Sequence, residues 1–284
     1  MGQTEAKAWE LMVDGYDLHV HSAPSAFPRA LDGWELVHEA SQAGMAGVML
    51  KSHYESTAIR AELINRHSNC KTKAYGGIAL NWPVGGINVY AIENALKVGA
   101  KIVWMPTRDS LNSLCYGDME GDFFTRKGIF ILDEHDRLKA DIYEIMDSVK
   151  KYGATLATGH LSPKESVLLC REGRARGVRM ILTHPEFPRT RVPAQIQEEL
   201  AREGVLIEKN WFNIVQGAVS IEEMAETIRR TGTERTFIAT DRGQKGAPHP
   251  TPELHRFICA LLEQGLTESQ IRSMVCSVPK SILD

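Results

Sequence analysis

The sequence predicts a single α/β domain built as a (β/α)8 TIM barrel, distorted by an insertion after its fourth strand. Three observations carry that prediction. Eight short apolar segments alternate with amphipathic ones along 284 residues, the pattern of right-handed β-α-β units on a parallel sheet. The turns between them are short except once, and eight units in a chain of this length favour closure, since such barrels run to about 250 residues as one unit. No glycine-rich phosphate fingerprint follows the first strand, which puts a doubly wound open sheet in second place.

Taken in order, residues 3–12 read as a short helix with Ala6, Trp9 and Val13 on or near one face. Strand 1 covers 16–21. Asp32 can cap a helix carrying Trp34, Leu36, Val37 and Ala40 that stops at Gly44. Strand 2, over 46–50, is an unbroken apolar run, as a strand covered on both faces should be, and leads into Lys51-Ser52-His53. A helix over 55–69, strand 3 over 74–80, a helix over 87–98 closed by Gly99, and strand 4 over 101–105 continue the alternation. From 107 to 137 it lapses. Gly117, Gly121 and Gly128 punctuate this stretch, and 129–132 followed by Asp133-Glu134-His135-Asp136 reads as a short hairpin. Such an insertion is expected to be a lid or wall rather than a domain.

A helix over 140–152 and strand 5 over 154–160 come next. Ser162-Pro163-Lys164-Glu165 starts a further helix, with serine at the cap, proline first and glutamate three residues after the cap. Strand 6 (179–184), a helix near 193–203, strand 7 (205–210), a helix capped by Ser220, and strand 8 (236–241) complete the units. Helices near 252–264 and 267–274 close one domain over 1–284.

Composition excludes several classes. Hydrophobic residues at 43% and charged residues at 24% are ordinary for a globular protein. A net charge of −3 without long runs of one sign gives no sign of a nucleic-acid surface. Cys70, Cys115, Cys170, Cys259 and Cys276 are scattered and form no Cys-x-x-Cys pair, the usage of a reducing compartment. The N-terminus lacks an apolar signal region, and no apolar stretch reaches the ~18 residues that span a bilayer. The expectation is a cytoplasmic protein acting on a small molecule, without nucleic-acid or membrane partners and with room for a homo-oligomer.

Chemistry concentrates in Asp17-Leu18-His19-Val20-His21-Ser22. Alternation along a strand turns His19 and His21 to one face and Leu18 and Val20 to the other. Two neighbouring imidazoles are poor core material and a good metal chelate. On the barrel register, Lys51 and His53 end strand 2, His160 ends strand 5, His184 ends strand 6 and Asp241 ends strand 8. These ends open on one face, where barrel enzymes keep their active sites. His38, His67 and His255 lie inside helical patterns and read as surface or packing residues, while His135 and His249 lie in loops and stay undecided. Arg108, Arg189, Arg191 and Arg242 follow strand ends 4, 6 and 8. They point to a substrate carrying a carboxylate or phosphate. Arg242, beside Asp241, is the first choice, with Arg108 and His53 as further substrate contacts.

The order His-x-His on strand 1, His160, His184 and Asp241 resembles the amidohydrolase superfamily of metal-dependent hydrolases, over about residues 16–245. The resemblance implies that His19, His21 and Asp241 hold one divalent ion and that His160 and His184 hold a second. Zinc comes first, with manganese, iron and cobalt as alternatives. The chain departs from the pattern at strand 4. Many members bridge two ions there with a carboxylated lysine or a glutamate, whereas strand 4 here ends Trp104-Met105-Pro106-Thr107. Lys51 on the adjoining strand is the nearest substitute. As a carbamate it would bridge two ions; otherwise the site holds one, and Lys51 binds substrate. The implied reaction is hydrolysis of an amide, lactone or related ester of a small anionic substrate by metal-activated water. Asp241 would take the proton of that water and deliver it to the leaving group. Three alternatives compete. Phosphoesterases of the polymerase-and-histidinol-phosphatase type share the opening motif but expect Asp-x-His where this chain has Asp241-Arg242-Gly243. Related mononuclear decarboxylases use a similar set without Lys51. A non-enzymatic barrel would keep a metal for stability or sensing.

Overall fold

The computed structural model describes residues 2–117 and 125–284. Eight strands lie side by side in chain order: β1 (Tyr16–His21), β2 (Gly47–Lys51), β3 (Lys73–Ala79), β4 (Ile102–Trp104), β5 (Thr155–Ala157), β6 (Arg179–Leu182), β7 (Leu206–Asn210) and β8 (Thr236–Ala239). Every neighbouring pair from β1 to β8 is parallel. The two outer edges meet just past the end of β8, where Asp241 N donates to His19 O at 2.9 Å and His21 N to Arg242 O at 2.8 Å. The chain is therefore a (β/α)8 barrel. At this seam Gly243 has φ +116°, and a Cβ there would collide with the His21 carbonyl. Only glycine fits.

Strand side chains partition into two layers. Leu18, Met49, Ile102, Trp104, Ile181 and Phe237 fill the interior, and Val278, Ile282 and Leu283 of the last helix plug its base. Facing outward, Val48, Leu50 and Ile238 pack on helices through Leu36, Ile64 and Phe257. Val103, Leu156, Leu182 and Ile207 do the same against Ile92, Ile142 and Leu169. Strands covered on both faces explain the continuous apolar runs.

β1 breaks the expected alternation. Its pairing runs Asp17↔Val48 and then Val20↔Leu50, so one extra β1 residue is accommodated. This is a β-bulge. Leu18 consequently joins the interior while Val20 joins the outer layer, which corrects the expectation that they share a face. His19 and Leu18 both turn inward, and His21 follows in phase with Lys51.

The helix starts follow their sequence signals. Asp32 accepts from Trp34 N and Glu35 N at 2.8 and 2.9 Å, with Glu35 reaching back to Asp32 N. Ser162 and Glu165 form the same reciprocal cap ahead of helix Pro163–Ala175. Each such cap is worth about 1 kcal/mol. The second oxygen of Glu165 does more: Oε1 accepts from Ile131 N at 3.0 Å and pins the insertion.

The insertion forms a wall. Ser110 caps a short helix, Leu111–Tyr116, and pairs with Ile129. The expected hairpin is reduced to one bridge, Leu132 with Leu138, closed by Asp133 N donating to Arg137 O at 2.7 Å. Gly121 lies outside the described residues. Strands 5, 6 and 8 stop earlier than expected, because Gly159, His184 and Asp241 adopt φ of +59°, +28° and +53° and leave the extended ladder. Elements without a clear sequence signal are the 3-10 turn Trp82–Val84, helix Trp211–Val215, and a π-helical stretch Ser273–Ser277 running into helix Val278–Leu283. Among the described residues, no helix is long and apolar enough to cross a membrane.

Candidate metal centre

The bulge in β1 and the turn after β8 set the centre of the site. His19 Nε2 and His21 Nε2 both lie 3.1 Å from Asp241 Oδ1. Ligand atoms of these three residues fall within 4.8 Å of one another. Asp241 reaches them from a left-handed conformation unusual for a side chain with a Cβ, as does His184. Behind them, Glu208 of β7 bonds His19 Nδ1, and Asn210 Nδ2 stands 3.4 Å from the same nitrogen. A carboxylate on Nδ1 fixes the imidazole so that Nε2 faces the site. Asp17 braces the seam from outside, accepting from Thr240 N at 3.1 Å, Thr240 Oγ1 at 2.5 Å and His19 N at 3.2 Å.

The remaining candidates surround this core. Lys51 Nζ is 2.8 Å from His19 Nε2 and 5.5 Å from the Trp104 ring centre. His53 stacks near His21 with ring centres 4.8 Å apart, and Thr107 Oγ1 holds its Nδ1 at 2.9 Å. Asn81 fixes Thr107 in turn, at 2.7 Å. His160 and His184 adjoin, with centres 5.0 Å apart, their Nδ1 atoms near Ser113 Oγ at 3.3 Å and Thr190 Oγ1 at 3.2 Å. They form a second imidazole pair beside the first. The His184 ring centre lies 5.8 Å from that of His19.

Electrostatics separate these groups. Burial opposes a charged His19, but the Asp241 and Glu208 carboxylates outweigh both burial and Lys51 and raise it to about 9. Burial, reinforced by neighbouring positive groups, drives His21, His53 and His160 well below the ordinary histidine value. Burial lowers His184 to about 4 despite nearby carboxylates. Asp241 is held well below the usual carboxylate range: burial opposes its ionisation, but His19 and His21 prevail. Burial brings the Lys51 ammonium down to about 8. The site thus combines neutral imidazoles, an ionised carboxylate and a locus that attracts positive charge.

A cavity of about 320 Å³ opens onto this cluster, lined by His21, Lys51, His53, His160 and Asp241 together with Arg29, Arg108 and Arg189. Phe27, Phe187 and Phe212 complete its walls. Arg242 is not part of this lining: it turns away and pairs with Glu253 at 3.2 Å. Arg191 borders a different hollow beside Glu222 and Glu226. Of the undecided histidines, His249 bonds Glu39 at 2.6 Å and His135 sits beside Glu134 on the surface. Glu208, Asn210 and Arg29 escaped the sequence reading. For the first two a signal existed: they share the phase of Leu206 on a buried strand. Arg29 lies in a loop without periodicity.

A family model described as a family of unknown function, DUF6282, matches residues 14–208. It takes in both β1 histidines and stops before the turn that carries Asp241. Curated proteins gave no match. Among solved structures, an amidohydrolase from Pseudomonas aeruginosa aligns with TM-score 0.68 at 13% identity over 98% of each chain. The probable dipeptidase PvdM from the same organism gives 0.68 at 10% identity, covering 99% of this chain and 98% of its own. A putative 2-pyrone-4,6-dicarboxylic acid hydrolase from Pseudomonas putida gives 0.62 at 10% identity, covering 95% and 97%. At these identities the likeness establishes a shared barrel fold.

Proposed function

The chain belongs to DUF6282, a family of unknown function, and from its site we propose that it is a metal-dependent hydrolase cleaving an amide, lactone or related ester of a small anionic substrate. One observation carries the reading. Two imidazole Nε2 atoms converge on a single oxygen of Asp241, with Glu208 fixing His19 from behind. This donor set of nitrogen and oxygen without thiolate suits zinc, and also manganese, iron or cobalt. The attraction for positive charge at His19 is what a bound cation would satisfy. That the structural neighbours are named as hydrolases supports the same class.

His19, His21 and Asp241 would hold one divalent ion, and His160 with His184 a second. When bound, such an ion supplies Lewis acidity and brings the pKa of a water towards neutrality. Asp241 is the acid nearest the cavity and would accept the proton of the attacking water and pass it to the leaving group. His53, its Nδ1 held by Thr107, presents its other nitrogen to substrate. Lys51 is drawn towards its neutral amine by burial, the form that adds carbon dioxide with loss of a proton to give a carbamate, and as a carbamate it would be a ligand shared by two ions. Five cysteines without a disulfide agree with a reducing compartment, and we place the protein in the cytoplasm. The phosphoesterase alternative weakens at Gly243, where its histidine would stand, because a Cβ there would collide with the His21 carbonyl.

The test is metal analysis joined to turnover on amide, lactone and phosphomonoester panels. Chelator-stripped protein is expected to lose activity and regain it with zinc or manganese, and Asp241→Asn to lose about a hundredfold or more in kcat. Activity that survives stripping would remove the metal reading. Turnover of phosphomonoesters alone would favour the phosphoesterase, and inertness at full loading would favour a binding protein. Two ions per chain in wild type falling to one in Lys51→Ala supports the bridge; one ion in both, with catalysis intact, sinks it.

A further inference from the structure

The mouth of the barrel carries a second constellation that the metal ligands do not use. Arg29, from the loop after β1, and Arg108, from the loop after β4, stand over the same ring. Their Cζ atoms lie 5.8 and 4.3 Å from the centre of Phe27. Both line the cavity alongside His21, His53 and Asp241. Arg29 Nε is buried with no hydrogen-bond partner among the described residues. Its backbone is not loose: Arg29 bridges Gln244, and Ala30 N donates to Gly243 O at 2.9 Å. The arginine is therefore mounted on the same seam that places Asp241.

Burial lowers Arg29 to about 10 and Arg108 adds to that, against Asp241, so Arg29 still carries its charge at neutral pH. An oxyanion in the cavity between these two arginines would meet the unused Nε–H of Arg29. The walls select which oxyanion. Phe27, Phe187 and Phe212 are apolar and flat, and they favour an organic acid over a free inorganic ion. A planar carboxylate also matches the forked edge of a guanidinium.

We propose that Arg29 and Arg108 form a clamp for a carboxylate at the cavity mouth, making the substrates of this site organic acids with an apolar or aromatic body. The word substrate rests on the hydrolase reading; the clamp does not, because it can be measured as binding without turnover. The probes are benzoate, its neutral counterpart benzamide and inorganic phosphate, titrated calorimetrically into metal-loaded and metal-stripped protein. Benzoate is expected to bind at least about tenfold more tightly than benzamide in both forms. Arg29→Ala and Arg108→Ala should each weaken benzoate by about tenfold or more, the loss expected for a charged hydrogen bond. Arg29→Lys keeps the charge without the fork and should fall between, which guards against misfolding of the alanine variant. Arg137→Ala, in a surface pair with Asp133, should leave binding unchanged. Benzoate binding that ignores both arginines, or that vanishes on metal stripping, would overturn the clamp. Phosphate binding more tightly than benzoate through the same arginines would overturn its assignment to carboxylate. Loss of the hydrolase reading would show separately, as arginine-dependent benzoate binding in a protein that turns over no ester or amide.

Discussion

Glu208 shows how much of the site depends on residues that never face substrate. It is buried, bonds His19 Nδ1 and owes its lowered pKa to that imidazole, against the opposing effect of burial. Replacing it with Gln keeps the shape and removes the charge. Metal affinity is expected to fall about 10- to 100-fold, read by competition with a chromophoric chelator. Asp17 makes a different prediction. Burial raises its pKa from 3.8 to about 6, although Thr240 and His19 donate to it. The folded state therefore binds its proton more tightly than the unfolded chain. Stability from this group is complete below about pH 4 and is lost as pH rises through about 6. The two-unit shift corresponds to about 3 kcal/mol. Over about pH 4 to 7 the lowered histidines His21, His53, His160 and His184 change stability in the opposite sense, so the Asp17 contribution is read as a difference: in denaturation of metal-free protein, wild type should lose stability relative to Asp17→Asn as the pH rises. At this scale the histidines and Asp241 were legible because their chemistry is rare and each sits near a strand end. Arg29 was not, since a loop residue carries no period to say which way it faces.

The elements were legible in their interiors and not at their ends. β2 announces itself as an apolar run over 46–50, one residue off the observed Gly47–Lys51, because both its faces are buried, and Ser162-Pro163-Lys164-Glu165 announces a helix start because a cap is a local arrangement. Where a strand stops is settled by a backbone torsion that no composition reveals. Gly159 illustrates this. Its φ of +59° lets the chain leave β5 and present His160, and a Cβ there would strike the Met105 carbonyl. Gly153 has a similar φ of +66° with open space around it. Gly153→Ala should cost about 1 kcal/mol for conformation alone. Gly159→Ala should cost more, because the Met105–Pro106 backbone must also shift. Thermal melts of the two variants check the order; equal losses would mean that the collision is relieved for free. The bulge in β1 had no signal either. It is a slip of register against β2, visible only when both strands are present.

For the whole molecule, alternation and segment count were enough to reach a barrel, and barrel geometry was enough to collect His19, Lys51, His160, His184 and Asp241 at one end. The base of the barrel was not foreseen. Val278, Ile282 and Leu283 close it from below, and Arg179 Nη1 donates to Ile282 O at 3.0 Å. Deleting 278–284 should expose the inner layer beneath Trp104 and Phe237. Burial of three aliphatic side chains, at about 1.5–3 kcal/mol each, sets the scale of the loss. A lowered unfolding midpoint in urea checks it, while an unchanged midpoint would show that the interior closes without the plug.

The seam between β8 and β1 has a consequence in time. A ribosome delivers His19 and His21 early and Asp241 late, after all the intervening strands. Until the last strand emerges, the first two imidazoles have no carboxylate to complete their cluster, and the interior edge of β1 has no neighbour. On the proposed metal reading, an ion would be held with full affinity only by a chain whose first and last strands have met, so that metal loading would report closure of the ring.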